Sequence, residues 1–313
     1  MTPAVTLRPG AEAVARKGWL AAHRYLVLRR LSQLAVLGIF LIGPWFGIWW
    51  VKGNLASSLT FDTIPLTDPY VLLQSVAAGH WPETAAITGA LIVAAFYALF
   101  GGRLYCSWVC PINPVTDVAA WLHGRLGLQK GWQPKRHTRL WILATTLVVS
   151  AITGTIAWEF VNPVSMVHRG LIFGMGAAWV FVVAVFLFDV FVSRHGWCGH
   201  LCPVGAFYGL LNEKSLLRIS AANRKACDDC MDCFAVCPEP HVITPALRGK
   251  DGETPLILAR DCTACGRCVD VCPEDVFHFT HRFNDRSAGD AATPTNQIIR
   301  SGKTGWVQQG DMS

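Results

Sequence analysis

Four stretches of the chain carry no Lys, Arg, Asp, Glu or His: residues 31–51, 84–102, 140–158 and 170–188. At 1.5 Å rise per residue, about 20 residues cross the roughly 30 Å hydrocarbon layer, so each window predicts a membrane-spanning helix. The segment before the first window holds Arg8, Arg16, Lys17, Arg24, Arg29 and Arg30. The connection between the second and third holds Arg103, Arg125, Lys130, Lys135, Arg136 and Arg139. The other two connections offer only Lys52 and Arg169, beside Asp62, Asp68, Glu83 and Glu159. By the positive-inside rule both termini are cytoplasmic. Trp49, Trp50, Trp141, Trp158 and Trp197 sit near window ends, as an aromatic belt requires. The segment from Met1 to Arg30 shows no apolar core or cleavage site of a signal peptide. In the first outer connection, Asp68 before Pro69 reads as a helix N-cap with a first-turn proline, opening a short helix over Tyr70 to Ala78.

Each pair of windows ends in Cys-x3-Cys-Pro, first Cys106 to Pro111 and then Cys198 to Pro203, 92 positions apart. An amphipathic stretch follows each proline. The pattern is a doubled hairpin.

Beyond Ser220 the chain turns polar and cysteine-dense. Cys227, Cys230, Cys233 and Cys237 precede Pro238, and Cys262, Cys265, Cys268 and Cys272 precede Pro273. Each is Cys-x2-Cys-x2-Cys-x3-Cys-Pro, repeated at an offset of 35, the bacterial ferredoxin spacing for a [4Fe-4S] cube. Zinc needs only four ligands and would not call for two such runs. Three close cysteines wrap one corner of a cube while the fourth reaches the other cluster. The expected sets are therefore Cys227, Cys230, Cys233 with Cys272, and Cys262, Cys265, Cys268 with Cys237. Short β-like runs at 242–244 and 276–280 suggest two hairpins. The reading is an all-α membrane domain of four transmembrane helices in two hairpins, residues 31–215, followed by a small α+β ferredoxin-like domain, 216–283. A cytoplasmic segment, 1–30, precedes them and a polar tail, 284–313, expected to be disordered, follows.

Composition agrees with a membrane location. Of 313 residues 52 % are hydrophobic and 15 % charged, against roughly 25 % charged in soluble domains. The formal charge of +6 tracks the inner membrane surface and does not suggest nucleic acid. Twelve cysteines leave four after the two clusters: Cys106, Cys110, Cys198 and Cys202. Positions i and i+4 share a helix face, so each pair sets two thiols side by side. These thiols could meet a bound quinone, act as redox dithiols, ligate a third metal site, or serve as small apolar residues. His195 and His200, flanking the second pair, are ligands, proton shuttles or interfacial histidines. All ten His lie outside the four windows, which excludes a haem clamped at mid-membrane, and no nucleotide-binding fingerprint occurs.

The sequences from Tyr105 to Pro111 and from Gly196 to Pro203, with four spans and the doubled cysteine run, resemble the NapH family. These are ferredoxin-type membrane subunits of the periplasmic nitrate reductase system. The likeness covers residues from about 15 to 283. It implies a component of a quinol dehydrogenase in a bacterial inner membrane, with quinol as substrate. Electrons would pass from the quinone pool to a periplasmic ferredoxin-type or multihaem c-type cytochrome partner, the chain itself not reducing nitrate. Roughly 30 Å of hydrocarbon would then separate cytoplasmic clusters from a periplasmic acceptor. Glu159 and Asp189, at helix ends where a charge still reaches water, are candidate proton acceptors, equally readable as ordinary helix-end charges. Two alternatives are an electron-donating maturation factor for a respiratory metalloenzyme and a scaffold that docks a periplasmic ferredoxin.

Overall fold

The computed structural model describes residues 9–128, 134–174, 176, 178–249 and 254–284. Arg8, Lys130 and the tail beyond Asn284 lie outside them. Two short helices, α1 (Ala11–Lys17) and α2 (Trp19–Ala22), lead into the long α3 (Arg24–Phe46). A three-stranded antiparallel sheet follows, β1 (Val51–Gly53), β2 (Ser57–Thr60) and β3 (Ile64–Thr67), in the order β1-β2-β3. Next come α4 (Pro69–Ala77), α5 (Thr84–Phe100), α6 (Ile112–Arg125), α7 (Thr138–Thr153), α8 (Pro163–Phe173), α9 (Ala178–Phe191) and α10 (Pro203–Leu211). The C-terminal part holds β4 (Leu217–Ser220), the short helices α11 (Asp232–Val236), α12 (Ile243–Arg248) and α13 (Arg267–Val271), and β5 (His278–His281).

The helix lengths correct the expectation of four spans. Among the described residues only α3, of 23 residues, is long and apolar enough to cross a membrane. At the helical rise it measures about 35 Å. The other windows give 17 residues in α5, 16 residues in α7 and 14 residues in α9. Those helices measure about 26 Å, about 24 Å and about 21 Å, short of the roughly 30 Å layer. Glycine is the physical reason. Gly101 ends α5 at φ 156°, Gly154 ends α7 in the left-handed region, and Gly174 separates α8 from α9 inside the last window. A window without charge measures polarity, not helix continuity. Many large apolar side chains of these helices are nonetheless exposed, among them Leu31, Leu34, Phe96, Leu99, Trp141, Ile152, Val180 and Leu187.

The two-hairpin ferredoxin fold is likewise not what the C-terminal part shows. β4 and β5 form one antiparallel pair, Leu217 facing His281 and Ser220 facing His278. The run expected as a strand at 242–244 ends one helical turn and begins α12. Its core combines Ile219, Val242, Ile243, Leu247, Ile257, Val276 and Phe277 with Cys233, Cys268 and Cys272.

Two contacts fix where the site lies. The carboxylate of Asp270, on α13, accepts the Tyr25 and Leu26 backbone N–H groups at 3.1 and 3.0 Å, so a distant residue caps the start of α3. At Gly102 a Cβ would stand 1.9 Å from the Tyr208 carbonyl, so only glycine lets α10 pack against the approach to Cys106.

As expected from sequence, Asp68 caps α4, accepting the Tyr70 N–H at 2.9 Å, which satisfies a first-turn donor. It does more, because the Tyr208 hydroxyl also donates to it at 3.3 Å. Burial pushes this carboxyl up to about 6, against the opposing pull of those two donors. The folded state therefore holds its proton where the unfolded chain has lost it, so stability falls as pH rises from about 4 to 6. Asp68→Asn keeps the cap and is expected to flatten that slope, removing about 2 kcal/mol of pH dependence after allowance for partial exposure. Thermal unfolding across this pH range checks it; an unchanged slope refutes the assignment.

Candidate iron-sulfur site

The two cysteine runs fold alike. In the first, Asp229 and Met231 lie in the left-handed region at φ 57° and 65°; 35 positions on, Ala264 and Gly266 do so at 45° and 74°. Left-handed backbone costs a non-glycine residue roughly 1–2 kcal/mol, and three of these four carry a side chain. The same geometry turns the amides of Asp229, Asp232, Ala264 and Arg267 onto the sulfurs of Cys227, Cys230, Cys262 and Cys265. In each case the donor is the residue two positions after the cysteine. Amide donors to sulfur stabilise thiolates and tune a cluster's potential, so the loops fit an iron-sulfur group.

Two cavities lie between the runs. Cys227, Cys230, Cys233 and Cys272 line one, with Phe234, Val276 and Phe277. Cys237, Cys262, Cys265 and Cys268 line the other, with Glu239, Asp261 and Arg267. Burial pushes the Cys265 thiol up, but Arg267 and Arg29 outweigh it and hold it below the usual range, favouring thiolate.

A buried ion network, with no signature in the sequence, joins the second cavity to the Cys-x3-Cys turns. Glu239 Oε1 lies 3.1 Å from Arg103 Nη1 and 2.9 Å from Arg139 Nη1. Arg139 also binds Asp261, whose other oxygen is 3.2 Å from His241. The guanidiniums reach further, Arg103 to the Asp261 carbonyl at 2.6 Å and the Cys198 carbonyl at 3.3 Å, and Arg139 to the Gly199 carbonyl at 3.0 Å. Glu239, His241 and Asp261 bring their ligand atoms within 4.8 Å. Both carboxylates already serve arginines, so no metal is assigned to them. A second junction centres on Asp117 of α6, which pairs with Arg29 and Arg30 of α3 and with Arg267 of α13.

Cys106 and Cys198 fall in single wide helical turns, Tyr105–Val109 and Trp197–Leu201, with Cys110 and Cys202 closing them in extended conformation. The first turn docks on the second cysteine run: Ser107 Oγ donates to the Thr263 carbonyl at 2.8 Å and Trp108 Nε1 to that of Ala264 at 3.1 Å. Neither acid proposed from sequence lines the two cysteine cavities. Glu159 is partly exposed and bonded by Asn162 at 3.2 Å, with Arg169 at 3.5 Å. Asp189 is fully buried and accepts the Trp197 N–H at 2.9 Å, which makes it an anchor of the second turn. Burial pushes His195 down to about 3, so it stays neutral and carries no extra proton at physiological pH.

A family model described as a 4Fe-4S binding domain matches residues 83–129 and 171–220, and one described as a 4Fe-4S dicluster domain matches residues 226–276. The ferredoxin-type protein NapH of Escherichia coli K12 is 54 % identical over 277 residues, covering 88 % of this chain and 96 % of the relative. NapH of Haemophilus influenzae is 48 % identical over 275 residues, with the same coverages. The methylamine utilization ferredoxin-type protein MauN of Paracoccus denitrificans is 56 % identical over 259 residues, 82 % of this chain and 90 % of the relative. No solved structure matches. With cysteine loops shaped for iron-sulfur ligation and relatives this similar along nearly their whole length, the chain belongs to the NapH family of ferredoxin-type electron-transfer proteins.

Proposed function

We propose that this protein is the membrane-bound component of a quinol dehydrogenase, oxidising quinol and passing electrons through two [4Fe-4S] clusters towards a periplasmic nitrate reductase by way of partner redox proteins. The ligand sets are Cys227, Cys230, Cys233 and Cys272 for one cluster and Cys237, Cys262, Cys265 and Cys268 for the other. The observation that carries this reading is the seating of the cysteine runs on the base of α3, where Asp270 caps the helix and Arg267 shares Asp117 with Arg29 and Arg30. Clusters held there stand at the end of the apolar helix, where a lipid-soluble donor arrives. The basic N-terminal segment supports a cytoplasmic placement of the clusters. It docks on the same side, with the Gly10 N–H on Asp232 at 2.7 Å and Arg16 and Lys17 on Glu274 and Asp275.

The test is anaerobic addition of a short-chain quinol to the protein in liposomes, with cluster reduction followed by electron paramagnetic resonance. Reduction within seconds is expected. Clusters that dithionite reduces and quinol leaves oxidised would refute the reading.

The similarity to MauN supports a second destination, an electron-transfer role in methylamine utilization. A deletion host that regains periplasmic nitrate reduction with this chain favours the first destination; one that regains only growth on methylamine favours the second.

A further inference from the structure

We propose that Cys106, Cys110, Cys198 and Cys202 together hold a third [4Fe-4S] cluster, shared between the two Cys-x3-Cys-Pro turns. Neither turn has enough thiols alone, and the fold brings them to one place. A Cβ on Gly205, just past the second turn, would lie 4.0 Å from the Cys106 sulfur of the first. The four sulfurs are within electrostatic reach of one another: Cys110 of Cys106, Cys198 and Cys202, and Cys202 of Cys106 and Cys198.

The local geometry is that of the ferredoxin runs themselves. Cys233-x3-Cys237-Pro238 and Cys268-x3-Cys272-Pro273 are the same five-residue unit plus proline. In all four copies a single helical turn ends in an extended cysteine, with ψ of 121° at Cys110, 114° at Cys202, 130° at Cys237 and 116° at Cys272. The amide two positions on bonds the sulfur at Cys110 and Cys202, as it does at Cys237. Cys106 takes a side-chain donor, Arg103, while the Cys198 sulfur stands 3.7 Å from the Thr116 hydroxyl, which itself donates to the Asn113 carbonyl at 3.1 Å. Cys106, Cys110 and Cys202 therefore receive hydrogen bonds that favour the thiolate ligand form. Arg103 and Arg139 lie close enough to Cys106 to offset the negative charge of a tetrathiolate cluster.

Size decides against a single ion. Zinc bound at about 2.3 Å by four thiolates draws their sulfurs to about 3.8 Å from one another. Among the described residues, the one group of three such ligand atoms lying within 4.8 Å of each other is Glu239, His241 and Asp261. No three of the four thiols come that close to one another, and neither do three thiols of either ferredoxin run. The site also has a neighbour to exchange electrons with, since Ser107 and Trp108 rest on the loop between Cys262 and Cys265. Tyr70, Tyr105, Trp158 and Tyr208 form an apolar cluster against which Cys106, Cys110 and Cys202 pack. A cluster here would carry electrons off the ferredoxin pair and into the helical part of the molecule.

A third cluster does not require quinol as the donor, and its test uses none. Iron and acid-labile sulfide are counted in the full chain purified anaerobically in detergent. About twelve of each per chain are expected, against about eight for two clusters. The Cys110→Ser/Cys198→Ser double variant is expected to fall to about eight while the reduced ferredoxin pair keeps its paramagnetic spectrum. Eight irons in the unaltered chain overturn the proposal, whether the four thiols then alkylate, form disulfides or bind one zinc.

Discussion

Glu239→Ala is expected to lower stability by about 3–5 kcal/mol, the cost of leaving a buried charge without its partner. Here two charges are stranded: the Arg103 and Arg139 side chains are 2 % and 5 % exposed, and Glu239 Oε1 is the atom they share. With that oxygen removed, the guanidiniums face each other in the interior with only Asp261 and backbone carbonyls to compensate. Glu239→Gln keeps an acceptor at the same place and is expected to cost less. Chemical unfolding of the cluster-loaded protein in detergent measures both. A loss below about 1 kcal/mol for the alanine variant would mean that water reaches the network and screens it. A functional effect is expected too, because the network clamps the Asp261 loop onto the turns that carry Cys106 and Cys198. Loosening it should slow electron flow out of the second cluster before the protein unfolds.

This network shows which parts of the molecule were legible in the sequence. The cysteine runs were, since ligand type and spacing are dictated by the group they hold. The cap at Asp68 was also legible, being local. The two arginines stand 100 to 158 residues from the acidic residues they bind, and nothing in the surroundings of Glu239 or Asp261 in the chain marks them. Arg103 and Arg139 were counted as charges of a cytoplasmic connection, yet their side chains are buried and ion-paired. The spans failed for a different reason. Uncharged windows were measured as if helix ran through them, while Gly101, Gly154 and Gly174 end or divide the helices. The pairs at Cys106 and Cys198 lay between these extremes. Spacing in the chain set two thiols on one face, and only packing of Gly102 and Gly205 against the opposite half shows that the two pairs meet.

The largest functional effect is expected at a cysteine whose removal empties the cluster of the other run. Cys237 closes the first run but lines the cavity of Cys262, Cys265 and Cys268, and its sulfur is within electrostatic reach of Cys262 and Cys265. Cys272 closes the second run but lines the cavity of Cys227, Cys230 and Cys233, within reach of Cys227 and Cys233. Cys237→Ser should therefore lose about four irons and leave the same residual paramagnetic spectrum as Cys262→Ser. Cys272→Ser should match Cys227→Ser instead. If each run ligated its own cube, Cys237→Ser would pair with Cys227→Ser. Electron delivery to any partner is expected to fall roughly 100-fold or more in the Cys237 variant, because the second cluster joins the first to the turn holding Ser107 and Trp108. Crossed ligation would make the two halves one folding unit, so loss of either closing cysteine should also loosen the opposite cavity. Faster alkylation of Cys230, in the wall of the first cavity, is expected when Cys237 is replaced, and its absence would show the halves to be independent.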